Sequence, residues 1–246
     1  MLGFSRHDVK VAALAIVMML VMPGLQPTPR VPDTSYRANP STLQQHVEYF
    51  DRNRDGVISL PETFESLNRL GFNWWGNFYR APFINWGLTM GLYVKGFPPL
   101  SLSSLISPAF WNHLLSFDFQ LRVPIQTIHQ TIHPSDSGVY DKNGQFNEAK
   151  FERLMSFDKA GKGGINRCEM TRFIKANNNP PDVPGNIGSK FEWFNVFEIL
   201  HDDKGVMSRE KLLKMYNGSV FEEIERAVAA KKGIQTVRTS AMKNDA

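Results

Sequence analysis

The chain has 246 residues, of which 28 are basic and 24 are acidic, and 42% of its residues are hydrophobic. This length and apolar fraction are enough for one large or two small domains with a hydrophobic core, so an intrinsically disordered or collagen-like chain is excluded. The basic residues form no long run, which argues against a nucleic-acid partner. The single cysteine, Cys168, excludes an intramolecular disulfide framework.

The N-terminal segment, residues 1–40, carries a continuous apolar run at residues 11–22 after a short basic start. This run is too short to cross a bilayer alone, because a spanning helix needs about 20 apolar residues. It is typical of a signal peptide or a short membrane anchor, and it would direct the chain to a membrane or into the secretory pathway. A buried first helix is the alternative.

Residues 51–62 match the calcium-loop pattern D-x-[DN]-x-[DN]-G-x5-E at every constrained position. In such a loop, side-chain oxygens, one backbone carbonyl and a bidentate glutamate surround the ion, and the glycine permits a sharp turn. Apolar stripes on both sides predict an entering and an exiting helix. The sequence therefore predicts an EF-hand that binds calcium or magnesium. Its predicted ligands are Asp51, Asn53, Asp55, Val57, Ser59 and Glu62.

Weaker copies of this loop occur around residues 141–146, at residues 158–169 and around residues 202–207. We expect Ile58 of the intact loop to pair with a second loop. The copy at residues 158–169 keeps the first acid, the turn glycine and the last glutamate, but Ala160 and Lys162 stand at ligand positions.

The other two copies have a lysine at the final ligand position, where it repels a cation (Lys150 and Lys211). We therefore expect one working calcium loop and three relics that keep the helix–loop–helix geometry as a scaffold. Two of these relics are expected to share a helix at residues 147–157.

Residues 72–125 are predicted to form a hydrophobic, proline-bearing insert. Its first part, residues 72–94, is rich in aromatic side chains, which suit a membrane interface. Arg80 and Pro82 lie near the middle, and a central arginine costs about 2.5–3.5 kcal/mol on insertion scales. We therefore expect a segment that lies in the interface or enters the membrane and turns back. A buried helix of a soluble domain is the alternative.

Histidine placement is the second chemical feature. His46 borders the apolar stripe of the helix that enters the calcium loop, so a half-buried imidazole is expected. His129 and His133 are four residues apart, and we expect both on one face of a helix that ends at Pro134. Imidazoles in such positions can bind a metal or a haem iron. The alternative is that they are hydrogen-bonded core residues.

The order of these features resembles the caleosin family over about residues 41–225. The resemblance rests on the Leu-Gln-Gln-His segment before the calcium loop, the Ser-Asp pair after His133, and the turns that begin at Tyr140 and Tyr216. Caleosins are calcium-binding proteins of lipid droplets and the endoplasmic reticulum. Many are haem peroxygenases that use a hydroperoxide to oxidise unsaturated fatty acids. By this resemblance, His46 and His133 would bind haem b and act in catalysis, with calcium as the second cofactor.

A peroxygenase needs an open coordination position for its hydroperoxide. If His46 and His133 both bound iron, no position would remain. We therefore expect one strong proximal ligand, while the other histidine binds weakly or moves the hydroperoxide proton. The sequence leaves open which histidine has which role. Because the calcium loop follows His46 so closely, calcium is expected to set the position of its helix.

The predicted fold is mainly α and consists of EF-hand-like helix–loop–helix units, with one intact calcium loop, degenerate partners and an inserted hydrophobic membrane-associating segment. The main domain covers residues 41–232, including a C-terminal EF-like region at residues 126–232, and residues 233–246 form a polar tail. We expect a protein of lipid droplets and the endoplasmic reticulum membrane that contacts lipid, unsaturated fatty acids and hydroperoxides, with a homo-oligomer as one option. A non-catalytic calcium-dependent lipid adaptor and a soluble calcium sensor are the alternatives.

Overall fold

The computed structural model describes residues 33–95, 117–231 and 233, and this part of the chain is mainly helical, as predicted. The apolar run at residues 11–22, the prolines and serines at residues 96–108 and nearly all of the polar tail lie outside these residues. The α-helices are α1 (Thr42–Glu48), α2 (Leu60–Arg69), α3 (Trp74–Lys95), α4 (Glu148–Met155), α5 (Arg167–Ala176), α6 (Val183–Leu200), α7 (Arg209–Tyr216) and α8 (Ser219–Lys231). Two 3-10 helices span Ser35–Ala38 and Ile125–Thr131, and the short strands are β1 (Val57–Ile58), β2 (Val123–Pro124), β3 (Gly164–Asn166) and β4 (Val206–Ser208).

Local signals set the beginnings of the short helices. Ser41 and Asn166 begin α1 and α5 with capping boxes, in which each cap and the residue three positions later exchange hydrogen bonds. Ser59 begins α2, and its N–H donates to the carboxylate of Glu62 at 2.9 Å. The last predicted calcium ligand therefore also closes the first turn of α2.

The apolar stripes predicted on both sides of the calcium loop are confirmed. Leu43 and Val47 of α1 are buried in a small cluster with Ile58, Val123, Ile125 and Ile128. Leu67 and Leu70 lie in a larger cluster formed by the remaining helices, which includes Phe151, Phe173, Trp193, Met207 and Leu212. The calcium loop thus lies where two hydrophobic clusters meet.

The two C-terminal loop copies pair with each other. Strands β3 and β4 are antiparallel, with Ile165 opposite Met207. Strand β1 pairs instead with β2, which places Ile58 opposite Val123 at the end of the insert. The prediction that Ile58 pairs with a second loop was therefore wrong. Because the two C-terminal copies satisfy each other's backbone hydrogen bonds, β1 takes its partner from the insert.

The copy around residues 141–146 is a tight turn. Tyr140 and Phe146 form an isolated antiparallel bridge, and the Asp141 carboxylate accepts from the N–H groups of Asn143 and Gln145. Among the described residues 132–140, which precede this turn, there is no helix. The helix–loop–helix prediction was wrong for this copy. The predicted shared helix is confirmed as α4, which follows the turn and enters the loop at residues 158–169.

His129 and His133 do not lie on one helical face, so that prediction was also wrong. The helix at Ile125–Thr131 is a 3-10 helix, and its C-cap, Ile132, has an extended ψ of 127°. His133 precedes Pro134, a position that disfavours helical backbone. It lies instead in a turn in which the Asp136 N–H donates to the His133 carbonyl oxygen at 3.0 Å.

Helix α3 is continuous through Pro82. It buries polar side chains and exposes aromatic ones, the reverse of the usual arrangement in a helix that packs on a protein core. The helix buries a polar stripe formed by Asn77, Arg80, Asn85 and Thr89. Arg80 donates to Asn195 and pairs with Glu198 of α6, both at 2.9 Å, so its charge faces protein. The helix exposes aromatic side chains at its first turns, namely Trp74, Trp75, Phe78 and Tyr79. Among the described residues, no helix combines the length and apolarity that crossing a membrane requires.

Candidate functional site

His46 on α1 is held by a backbone carbonyl from the other end of the chain. Its Nδ1 lies 2.6 Å from the carbonyl oxygen of Met215, the penultimate residue of α7. Because a carbonyl oxygen only accepts, Nδ1 carries the proton and donates. Burial lowers the pKa of His46, and the Met215 hydrogen bond opposes this shift only in part. The imidazole is therefore neutral at pH 7, with a lone pair on Nε2.

Aromatic rings enclose the His46 imidazole. Phe221 and Tyr140 meet it edge-on, with ring centroids at 5.1 and 6.2 Å. The turn between α7 and α8 also approaches α1 closely. A Cβ atom at Gly218, whose φ is +81°, would lie 2.7 Å from the Gln45 carbonyl oxygen and 2.9 Å from the His46 Cα. This turn therefore requires glycine.

His133 is surrounded by carboxylates. Its Nδ1 lies 3.0 Å from Oδ2 of Asp182, and its Nε2 lies 3.4 Å from Oδ1 of Asp136. The His133 N–H also donates to Oδ2 of Asp136 at 3.1 Å. In contrast to His46, His133 therefore has a negatively charged or acidic group beside each ring nitrogen.

Tyr140 and Tyr216 connect the surroundings of the two histidines. The Tyr140 hydroxyl donates to the Tyr216 carbonyl oxygen at 2.6 Å, and the Tyr216 hydroxyl donates to Oγ of Ser137 at 3.2 Å. Burial raises the pKa of both tyrosines far enough to keep them protonated at any physiological pH. The segment that follows His133 is thus connected, through the neutral hydroxyl groups of Tyr140 and Tyr216, to the aromatic side chains that contact His46.

A further acid, Glu192 on α6, lies close to Asp136. Burial raises the pKa of Asp136, and it raises the pKa of Glu192 on α6 to about 8, with a further contribution from the charge of Asp136. Glu192 nevertheless retains solvent-accessible surface. Glu192 was not predicted as a site residue.

The predicted calcium loop has the hydrogen bonds that shape such a loop. The Gly56 N–H donates to Oδ2 of Asp51 at 2.8 Å, and the Glu62 carboxylate accepts from the N–H groups of Arg52, Asn53 and Ser59. Burial raises the pKa of Asp51, and the charges of Asp55 and Glu62 raise it further. These crowded carboxylates form a donor set of oxygens that suits a hard divalent cation.

Arg37 of the N-terminal 3-10 helix contacts this loop. Arg37 pairs with Glu48 at 2.6 Å and with Asp51 at 3.0 Å, and it donates to the Arg54 carbonyl oxygen. In the part of the chain that the structure describes, which includes residues 51–62, no group of three or more His, Cys, Asp or Glu side chains is arranged as a metal site.

Comparison with known proteins identifies the family. Residues 38–225 match the family model described as "Caleosin related protein". The chain belongs to the caleosin family. It is 30% identical over 190 residues to "Probable peroxygenase 4" of Arabidopsis thaliana, and the match covers 77% of this chain and 88% of that protein. It is 28% identical over 197 residues to "Peroxygenase" of Lilium longiflorum, and the match covers 80% of this chain and 74% of that protein.

A third relative differs in its name. The chain is 28% identical over 144 residues to "Probable inactive peroxygenase-like protein" of Arabidopsis thaliana, with coverage of 54% of this chain and 69% of that protein. No solved structure matches the chain. The resemblance to caleosins noted in the sequence is thus confirmed at the level of the family.

The partners of the two histidines were not predicted. Met215 contributes only a backbone carbonyl, which has no sequence signature. Asp182 carries a weak signal, because an aspartate two residues before a proline is typical of a helix N-cap. That signal predicts the beginning of α6, but it gives no indication that the same carboxylate meets His133.

Proposed function

We propose that the chain is a haem peroxygenase that uses hydroperoxides to oxidise unsaturated fatty acids at a lipid surface. Membership of the caleosin family and the names of two relatives support the reaction class. The observation that carries the haem assignment is the hydrogen bond from the His46 Nδ1–H to the Met215 carbonyl oxygen. Histidines that bind a metal usually donate their second ring nitrogen to such an acceptor, which leaves Nε2 for the metal.

His46 and His133 have different roles in this proposal. His46 is the iron ligand, because it is neutral and offers an Nε2 without a hydrogen-bond partner among the described residues. His133 is the acid–base group, because both of its ring nitrogens already lie beside carboxylates. When bound, haem supplies the cleavage of a hydroperoxide O–O bond and the transfer of one oxygen atom to the acyl chain.

In this proposal, a side chain of the protein moves the hydroperoxide proton. His133 takes the proton from the terminal oxygen of the hydroperoxide and returns it to the departing alcohol oxygen, so its own charge is unchanged over one turnover. Asp136 lies beside His133, and it is close enough to Glu192 for its charge to raise the pKa of that residue. The neutral hydroxyl groups of Tyr140 and Tyr216 add no charge between the two histidines.

Helix α3 supports the lipid-surface part of the proposal. Its polar side chains are buried against α2, α6 and the end of the insert, while Trp74, Trp75, Phe78 and Tyr79 are 44–74% exposed. Contiguous exposed aromatic residues are typical of surfaces that meet a partner or a membrane interface. We propose that this face contacts the phospholipid of lipid droplets and the endoplasmic reticulum, where unsaturated acyl chains are concentrated.

Calcium binding at residues 51–62 would act on both histidines. Helix α1 carries His46 and leads directly into the loop, while the β1–β2 pair joins the loop to the 3-10 helix that precedes His133. The oxygen ligands would be Asp51, Asn53, Asp55, Val57, Ser59 and Glu62. We propose that calcium sets the spacing between α1 and the Ile125–Thr131 helix, and thereby tunes turnover.

Absorption spectroscopy of the purified full chain with added haem tests the proposal. His46→Val should abolish the Soret band, whereas His133→Val should keep it and lose hydroperoxide-dependent epoxidation. His201→Val is the matched control, because the His201 Nδ1 also meets a backbone carbonyl, that of Phe197 at 2.7 Å, but on an exposed surface. A Soret band that survives His46→Val would contradict the assignment of the iron ligand.

A non-catalytic lipid adaptor is the competing function. The exposed aromatic face of α3 and the relative named as inactive are compatible with it. Flotation with droplets of triacylglycerol and phospholipid distinguishes the two. If the wild type floats with droplets, loses this property in Trp75→Ser/Phe78→Ser, and takes up no haem, the adaptor is the better description.

A further inference from the structure

Asp182 makes two contacts that do not both belong to helix capping. It is the N-cap of α6, and its Oδ1 accepts from the Gly185 N–H at 3.0 Å, as an ordinary cap does. Its second oxygen, Oδ2, lies 3.0 Å from Nδ1 of His133, which is 49 residues away in the chain. Capping alone needs only the first of these contacts.

Hydrogen-bond geometry decides which group carries the proton. Burial by itself raises the pKa of Asp182, but donors from Ser135 and Gly185 and the nearby His133 lower it overall, so the group is an ionised carboxylate. An ionised carboxylate only accepts, so the His133 Nδ1 must donate. The Ser135 N–H also lies closer to Oδ2 of Asp182 (3.1 Å) than to Nδ1 (3.3 Å).

Helix α6 is shaped to bring this carboxylate to the imidazole. Gly185 lies in the first turn, where a Cβ atom would collide with both the His133 Nδ1 and the Asp182 carboxylate. The absence of a side chain at this position therefore allows the imidazole to contact the beginning of the helix directly.

The other ring nitrogen is directed to one place. With Nδ1 bound to Asp182, the Nε2 of His133 points toward Oδ1 of Asp136, 3.4 Å away. The Asp136 carboxylate is itself fixed, because its Oδ2 accepts from the His133 backbone N–H at 3.1 Å. Rotation of the imidazole by half a turn about the Cβ–Cγ bond would put Cδ2 in the place of Nδ1 and leave the Asp182 carboxylate without its donor.

We propose that Asp182 is a positioning residue: its carboxylate keeps His133 in the tautomer with a protonated Nδ1 and thereby leaves the lone pair of Nε2 to take the proton of the hydroperoxide. The inference rests on the proposed function. In the reaction, the O–H bond of the hydroperoxide ROOH breaks and its proton passes to Nε2. As the O–O bond breaks, the same proton joins the RO oxygen, and ROH leaves while the second oxygen goes to the acyl chain.

Asp182→Asn in the full chain separates this role from helix capping. Asparagine caps a helix as well as aspartate does, but its amide can donate to Nδ1 and so favours the opposite tautomer. In haem-free protein labelled with ¹⁵N-histidine, long-range ¹H–¹⁵N spectra should show a protonated Nδ1 at His133 in the wild type and a protonated Nε2 in the variant. In the haem-loaded protein, kcat should fall about tenfold to a hundredfold with KM nearly unchanged.

Two further variants complete the test. Asp182→Ser keeps a capping oxygen but is too short to reach His133, so it should lose the tautomer preference while remaining folded. Asp203→Asn is the same chemical change at an exposed position and should alter neither the spectrum nor turnover.

The outcomes separate this inference from the proposed function. A His133 tautomer that is the same in the wild type and Asp182→Asn overturns the inference, whatever the activity. A tautomer that changes while kcat stays within twofold also overturns it, because the orientation then has no catalytic effect. A wild type that shows the expected tautomer but no hydroperoxide turnover overturns the proposed function and, with it, the catalytic role of Asp182.

Discussion

The loops at residues 51–62 and 158–169 have the same backbone framework. In each, the first aspartate accepts from the N–H of the sixth residue, with Gly56 to Asp51 at 2.8 Å and Gly163 to Asp158 at 2.7 Å. In each, the last glutamate accepts from the N–H of the ninth residue, at 2.9 and 3.0 Å. The two loops therefore differ in their side chains and not in their fold.

The ligand positions differ at the third residue, where Ala160 stands in place of Asn53, and at the fifth residue. Asp55 occupies it in the first loop, whereas Lys162 occupies it in the second. The Lys162 ammonium lies 2.8 Å from Oδ1 of Asp158 and 2.5 Å from Oε2 of Glu169, between the first and last acids of the loop. An ammonium group attached to the chain thus stands where a calcium ion would bind. The second loop carries its own cation at a ligand position, whereas in the first loop Asp51 pairs with Arg37, which lies outside the loop.

The pKa values of the first aspartates of the two loops shift in opposite directions, in agreement with the presence of Lys162 in the second loop. Burial and the neighbouring carboxylates raise the pKa of Asp51, whereas Lys162 lowers the pKa of Asp158. The second loop leads through β3 and β4 to α7, which carries the Met215 carbonyl that holds His46. The imidazole of His46 therefore lies between α1, which leads into the predicted calcium loop, and α7, whose preceding strand β4 pairs with β3 of the loop that carries Lys162.

The largest effect is expected from Glu62→Gln. Loss of the bidentate carboxylate should weaken calcium binding by at least about a hundredfold, because that residue supplies two of the oxygen ligands. Isothermal titration calorimetry of the full chain would measure the change. Glu65→Gln, one turn further along α2 and exposed, is the control. Equal affinity in the wild type and Glu62→Gln would show that residues 51–62 are not the calcium site.

The second loop should become a calcium site when its internal cation is replaced. Ala160→Asp with Lys162→Asp supplies oxygen ligands at the third and fifth positions of a backbone that already has the required turn. Calorimetry should then show two calcium ions per chain instead of one. Lys159→Asp places a comparable charge change outside the ligand positions. A stoichiometry of one in the double variant would contradict the comparison of the two loops.

Removal of the internal cation alone should destabilise the protein. In Lys162→Met, Asp158 and the buried Glu169 lose their shared partner and repel each other. We expect the free energy of unfolding to fall by about 1–2 kcal/mol, less than for a fully buried pair because Lys162 is partly exposed. Urea denaturation with chelator present measures this. Lys175→Met, an exposed change on the adjoining helix α5, should leave the midpoint nearly unchanged.

The smallest effect concerns pH in the presence of a chelator. The raised pKa of Asp51 means that its contribution to stability is lost as pH rises through that pKa and is recovered as pH falls toward 4. The lowered pKa of Asp158 means the reverse: its contribution is present above about pH 4 and is lost on further acidification.

Hydrogen exchange of the two loops between pH 7 and 3 would compare these trends. After correction for the intrinsic exchange rate, protection at residues 51–62 should increase on mild acidification. Protection at residues 158–169 should fall only below pH 4. Parallel trends in both loops would contradict the assignment of Lys162 as an internal cation.

Patterns that are local in the chain were predicted well. The calcium loop could be identified because its ligands and its turn glycine lie within twelve consecutive positions. The stripes of α1 and α2 followed from their helical period, and the co-linear order of motifs indicated the family, which the family model confirmed. The haem and calcium ligands stay predictions.

Predictions that depended on partners distant in the chain were less successful. The single helix for His129 and His133 was wrong because a 3-10 helix and the residue before Pro134 end the helical face. The partner of Ile58 was wrong because strand pairing depends on which segments meet in space. Arg80 was expected to make membrane insertion of its segment unfavourable. In the structure its guanidinium pairs with Glu198, 118 residues later, so its charge lies on the buried face of α3 and not on the exposed one.

The sequence by itself determined the family, the mainly helical fold and the residues with the chemistry, because residue type and short spacing carry that information. The tertiary structure decided which groups these residues contact. The carbonyl that accepts from the Nδ1 of His46 lies 169 residues away, and the carboxylate that contacts the Nδ1 of His133 lies 49 residues away. A hydrogen bond depends on positions in space within about 3 Å, and only folding brings together groups so distant along the chain.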